Sequence, residues 1–71
     1  MLGLLINEKE VKEISYIIKK EMDELIFDME DSRIELIVKK AMYRRYQILF
    51  QLYRRVASEQ EVLKYVMNYK F

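Results

Sequence analysis

Between Glu8 and Glu30 apolar residues return every three or four positions: Val11, Ile14, Ile18, Met22, Leu25, Ile26 and Met29. That spacing gathers them on one face of a helix. Ser15 is the polar member of the stripe, and Tyr16 and Phe27 fall outside it on a second, weaker face. A second periodic run predicts a helix over about Arg33–Ala57. Its broad apolar face carries Ile34, Ile37, Val38, Ala41, Met42, Ile48, Leu49, Leu52 and Val56, bordered by Tyr46 and Tyr53. A face close to half the circumference suits a central helix with a neighbour on each side. Leu36, Tyr43 and Phe50 form a separate ridge at seven-residue spacing. A third run, Glu59 to about Tyr69, offers Val62, Tyr65, Val66 and Tyr69, with Leu63 and Met67 alongside. It is too short to be stable alone in water and must dock on something.

The same punctuation precedes each run. Asn7, Ser32 and Ser58 are each followed at the third position by a glutamate: Glu10, Glu35 and Glu61. In such a box the cap side chain accepts from a free N–H of the first turn, and the glutamate reaches back to the cap's own N–H. The glutamate also meets the positive end of the helix dipole. Ile6 and Val11 add a hydrophobic staple across the first box. The junction Asp28–Ser32 has neither Gly nor Pro. It allows a tight turn or a bend in one continuous rod, and the turn is favoured because it sets two long stripes side by side. The expectation is an all-α fold: an antiparallel hairpin plus a short C-terminal helix, a three-helix bundle completed by homodimerisation. Residues 1–71 then make one domain, with helices at about 8–30, 33–57 and 59–69.

Charge changes this picture locally rather than overall. Residues 1–31 hold four lysines against nine acids, a balance of −5, and residues 32–57 hold seven cations against Glu35, a balance of +6. A basic helix suggests nucleic acid, since Lys and Arg that neutralise phosphates release counterions. The strip Arg33, Lys40, Arg44 and Arg54 would make that contact. The opposite charge of the first helix offers a simpler account, in which the two helices satisfy each other. Arg45 falls inside the apolar face of the second helix, so it must be paired or must snorkel. A hairpin folded at Ser32 brings it opposite Glu21, which predicts a buried Arg45–Glu21 ion pair.

Composition removes whole classes of chemistry. The chain of 71 residues has no cysteine and no histidine, which leaves no disulfide, thiolate, imidazole base or zinc finger. The acidic clusters Glu21/Asp23/Glu24 and Asp28/Glu30/Asp31 lack the histidine of a di-iron half-site and the loop of a calcium site. They read as solvated faces, so no metal, cofactor or small-molecule substrate is expected. Of the serines, Ser32 and Ser58 are better used as caps, and no catalytic residue is assigned. The apolar start Met1–Ile6 is too short for a secretory core or a membrane span, and Gly3 is misplaced for myristoylation. Cytoplasmic location is therefore the default. Six tyrosines and three phenylalanines are many for this length, and Tyr is a frequent contact residue in interfaces.

The run EMDELIFDMEDSRIELIVKKAMYRRYQILFQLYRRVAS, residues 21–58, resembles the short, uncharacterised, all-helical cytoplasmic proteins of low-GC Gram-positive bacteria. The likeness lies in length, composition and hairpin pattern, and implies a bacterial interaction protein without assigning any residue a role. The residues themselves lead to a non-enzymatic protein–protein interaction module, a small regulator or adaptor. It would associate with itself or another protein through Leu36, Tyr43, Phe50, Tyr16 and Phe27. The alternative is a nucleic-acid binder using the basic strip.

Overall fold

The structure, a computed structural model, describes residues 1–66. These form an all-helical fold: α1 is Glu8–Met29, α2 is Leu36–Val56 and α3 is Glu59–Val66. The expected end of the last helix near Tyr69 lies outside the described residues. α1 and α2 pack as an antiparallel hairpin, and α3 lies against its open end. Register can be read from facing residues. Glu21 stands opposite Arg45, and Leu25 and Asp28 share a groove with Met42 and Val38. The principal extents are 41 × 26 × 17 Å. The shortest is under two helix diameters, which are about 10–12 Å each.

Two of the expected capping boxes form. Asn7 Oδ1 accepts from the Glu10 N–H at 2.9 Å, and Glu10 Oε1 accepts from the Asn7 N–H at 3.0 Å. Ser58 Oγ accepts from the Glu61 N–H at 3.3 Å, and Glu61 Oε1 accepts from the Ser58 N–H at 3.5 Å and from its hydroxyl at 3.0 Å. The Ser32 box does not form, and α2 starts at Leu36 rather than Arg33. Its N-cap is Glu35, with no side-chain cap bond. Asp31 takes over the reversal instead. Its carboxylate accepts from the Arg33 N–H at 2.9 Å and from the Arg33 side chain at 2.9 and 3.1 Å, while its carbonyl accepts from the Ile34 N–H. An aspartate that binds the backbone two residues on makes its own turn. The junction is thus a turn, and the segment from Glu30 to Glu35 is spent making it.

The core stripe of α1 is the one expected: Ile18, Met22, Leu25 and Met29 are buried, with Ser15 among them. The core side of α2 is the expected one only along one edge, where Met42, Leu49 and Val56 pack on the core beside the bordering Tyr46 and Tyr53. Tyr46 and Tyr53 are its buried residues, flanked by half-buried Met42, Tyr43, Leu49, Phe50 and Val56. Of the broad face expected to be covered, Ile37 stays 74 % exposed and Ile48 69 % exposed, with Val38 and Leu52 also open. The reason is visible on the helical wheel. The aliphatic side has Arg44, Arg45 and Arg55 threaded through it, and desolvating a guanidinium costs several kcal/mol, of order, unless it is paired. The aromatic side holds only Lys39 at its end and tyrosines, whose hydroxyls can find acceptors. The helix buries the side that carries fewer charges.

Aromatic contacts then run the length of that side. Tyr46 stacks on Tyr43 with centroids 6.5 Å apart and on Phe50 at 6.3 Å. Tyr53 meets Tyr65 of α3 edge-on at 5.5 Å. Such pairs add roughly 0.5–1.5 kcal/mol beyond burial.

Candidate interaction surface

Two regions collect the chemistry of the molecule. The first lies where α3 docks. Tyr65 donates its hydroxyl to Asp23 Oδ1 at 2.7 Å, and Tyr53 donates to Glu61 Oε2 at 3.4 Å. Burial, followed by the hydrogen bond and charge of Asp23, pushes the Tyr65 hydroxyl far above the ordinary tyrosine range. Burial likewise raises Tyr53, aided by Glu61, and Tyr46, aided by Asp23. Glu61 is held below the usual carboxylate range by its bonds to Ser58. Tyrosines made harder to ionise stay protonated and serve as hydrogen-bond donors. Their geometry is that of a docking contact, in which the Tyr65 and Tyr53 hydroxyls each meet a carboxylate.

The second region is the side of the hairpin away from α3. Here Ile17 of α1 and Val38, Ala41, Ile48 and Leu52 of α2 are exposed, with Ile37 at the outer edge. α2 presents them because Ile37 and Ile48, like Ala41 and Leu52, are eleven residues apart, close to three full helical turns. A groove of about 340 Å³ runs beside them between the two helices, lined by Glu21, Glu24 and Asp28 on one wall and Val38, Ala41 and Arg45 on the other. Arg45 Nη1 reaches Glu21 Oε1 at 3.0 Å across its floor. The partner is the one anticipated from the wheel, but the pair is not buried: the Arg45 side chain is 60 % exposed. It sits beside the core rather than in it, because the buried side of α2 is the aromatic one.

The aromatic ridge expected to form an interface is dispersed. Tyr43 and Phe50 are half-buried and stack on Tyr46. Leu36 is exposed at the first turn of α2, and Tyr16 and Phe27 are exposed on the side of α1 away from its core stripe. The basic strip is also shortened. Lys40, Arg44 and Arg54 are exposed on α2, with Arg54 Nη1 donating to Gln51 at 3.4 Å. Arg33 belongs to the turn and is engaged by Asp31, whose own carboxyl it holds below the usual range. The aliphatic patch was the feature missed from sequence. The three arginines inside it were the signal that could have marked it as a surface.

Among the described residues, no cluster of three or more carboxylates could hold a metal ion, and no helix is long and apolar enough to cross a membrane. Compared with known proteins, the chain matches no family model, no curated protein sequence and no solved structure.

Proposed function

We propose that this chain is a non-enzymatic protein–protein interaction module, a small adaptor or regulator that docks through the aliphatic face of α2. The observation that carries this reading is the open stripe of Ile37, Ala41, Ile48 and Leu52 on a helix whose opposite side is already filled by tyrosines. Single exposed aliphatics are ordinary, whereas a continuous apolar patch on a small chain marks a contact site. The contact is aliphatic with arginines threaded through it, so it moves from the aromatic ridge to the far side of the same helix. Arg is favoured at interfaces because its fork binds carboxylates bidentately and its stem packs on apolar surface.

A photo-crosslinking side chain at position 48, used in the chain's native host, tests the reading. It should yield a protein adduct, while the same group at position 40 should not. Adducts at neither position, or equal adducts at both, would overturn it. The alternative, a nucleic-acid contact, draws on the exposed cations Lys40, Arg44 and Arg54. It requires salt-dependent affinity for arbitrary DNA or RNA that is lost on Lys40→Glu/Arg44→Glu substitution.

A further inference from the structure

We infer that the arm ahead of α1, residues 1–7, docks the chain on the surface of an anionic lipid bilayer. Its aliphatic side chains enter the interface, and the lysines of α1 meet the headgroups. This surface is separate from the aliphatic face of α2, so the inference goes beyond the interaction reading and does not depend on it. Among the described residues, the arm holds the most exposed large apolar side chains: Met1, Leu2, Leu4 and Leu5, with Leu2 at 94 % and Leu5 at 100 %. A Cβ added at Gly3 would meet nothing within 4 Å. Successive side chains of an extended segment point to opposite sides. Leu2 and Leu4 then lie on one side, Met1 and Leu5 on the other. A segment seated in a protein groove needs only one apolar side, whereas this arm is apolar on both. Such a segment suits a medium that surrounds it. Its backbone N–H and C=O groups still need water or headgroup oxygens, which sets it at the interface rather than in the hydrocarbon.

Charge selects the lipid and the orientation. Residues 1–20 carry four lysines and three glutamates, whereas residues 21–31 carry six acids and no cation. α1 is therefore basic beside the arm and acidic beside the turn. Lys9, Tyr16 and Lys20 are seven and four residues apart, on the side of α1 opposite its buried stripe. Lys12 and Lys19 flank Tyr16 on the side toward α3, where they share a groove with Val56 and Glu61. All five side chains are exposed, and Arg54 and Arg55 stand exposed at the same end. Most glutamates of this end begin helices: Glu8 and Glu10 in α1, Glu59 and Glu61 in α3. Each pair meets the positive end of its helix dipole, and Glu10 and Glu61 are also tied into caps. Glu13, beside Lys9, is the remaining acid of the arm end. The cations there are the less compensated charges. An anionic surface attracts this end and repels the acidic turn, which holds the arm toward the bilayer. Each cation close to such a surface strengthens binding by about fivefold.

The chain has no tryptophan, so Leu4→Trp places a single fluorescent reporter in the arm. The full chain carrying it is mixed with vesicles of phosphatidylcholine alone and with vesicles that also contain phosphatidylglycerol. With the anionic vesicles its emission should shift to the blue and the chain should sediment with the lipid. In the otherwise unaltered chain, Leu2→Asp/Leu5→Asp should weaken that binding by about a hundredfold. Lys9→Gln/Lys12→Gln should weaken it by roughly thirtyfold, on the anionic vesicles only. These side chains are exposed, so helicity by circular dichroism should be unchanged in every variant. Ile48→Asp, on the aliphatic face of α2, should bind vesicles as the unaltered chain does. No shift with either vesicle overturns the inference, and so does a blue emission before lipid is added, which would place the arm against protein. Equal partition into both vesicles overturns the anionic surface. Binding that survives Leu2→Asp/Leu5→Asp is electrostatic alone and overturns insertion of the arm. A loss on Ile48→Asp as large as that of the arm variant would put the α2 face on the lipid instead.

Discussion

Tyr65 and Asp23 are joined by a 2.7 Å hydrogen bond although 42 positions separate them in the chain. With the edge-on contact of Tyr65 on Tyr53, this bond anchors α3 to both helices of the hairpin. Tyr65→Phe keeps the ring and removes the bond. Asp23 is exposed and regains water, so the expected loss is about 1 kcal/mol, below the roughly 1.5–3 kcal/mol of a bond to a charged group that stays dry. Tyr65→Ala removes the ring as well and should cost about 3–5 kcal/mol, with loss of hydrogen-exchange protection in α3. Urea unfolding of the two variants checks both. Equal losses would mean that the ring contributes nothing.

Alkaline pH should act through the same contact. Tyr46, Tyr53 and Tyr65 are all raised above the ordinary tyrosine value, in each case chiefly by burial. A group raised in the folded state contributes stability that is complete below its unfolded value, about pH 10 for Tyr. That contribution is lost as pH rises through the folded value. The fold should therefore weaken from about pH 10 upward. The tyrosinate absorbance of these three rings should grow in step with the loss of helical circular dichroism. Full tyrosinate formation with helicity intact would contradict the burial argument.

The caps make a comparison among serines. Ser58 holds the first turn of α3, whereas Ser32 makes no cap bond in the turn before α2. Ser58→Ala should cost about 1 kcal/mol and Ser32→Ala close to nothing. Asp31→Ala should loosen the turn, since one carboxylate serves both the N–H and the guanidinium of Arg33. Thermal unfolding ranks the three, and a Ser32→Ala cost equal to that of Ser58→Ala would sink the assignment.

These residues also show how far the amino-acid pattern reaches. The helices, the hairpin and the α1 core were legible because an apolar stripe at helical spacing has one sensible reading. The Ser32 box was misleading because Asp31 sits one position earlier and binds the same stretch of backbone more strongly. The face of α2 was misjudged because hydrophobicity alone weighs isoleucine above tyrosine. Ile37 and Ile48 look like core by that measure, yet burying them would drag Arg44, Arg45 and Arg55 out of water. Counting the charges on each side would have chosen the aromatic one.

The Arg45–Glu21 pair separates the two views energetically. A buried pair broken on one side costs about 3–5 kcal/mol. An exposed one is worth about 0.2–1 kcal/mol. With Arg45 60 % exposed and Glu21 35 % exposed, the lower figure applies. Arg45→Met, measured at protein concentrations low enough to keep the chain monomeric, should destabilise it by no more than about 1 kcal/mol. A loss several times larger would place the pair inside the core.

The two sides of α2 should respond in opposite ways to truncation. Tyr53 is fully buried, at 0 % exposure, and touches α3 as well as the core of the hairpin. Tyr53→Ala opens a cavity that its neighbours can only partly close, at a cost of about 3–5 kcal/mol. Ile37→Ala and Ile48→Ala remove atoms already in water and should change monomer stability by within about 0.5 kcal/mol. The same isoleucine variants should weaken any association through the exposed face, because that is where their surface leaves water. Urea unfolding at low and high protein concentration reads both effects in one experiment. The tyrosine variant should be destabilised at every concentration, the isoleucine variants only where the chain associates. If the isoleucines instead proved costly in the monomer, the aliphatic side would be core, and α2 would have to be rotated by about half a turn.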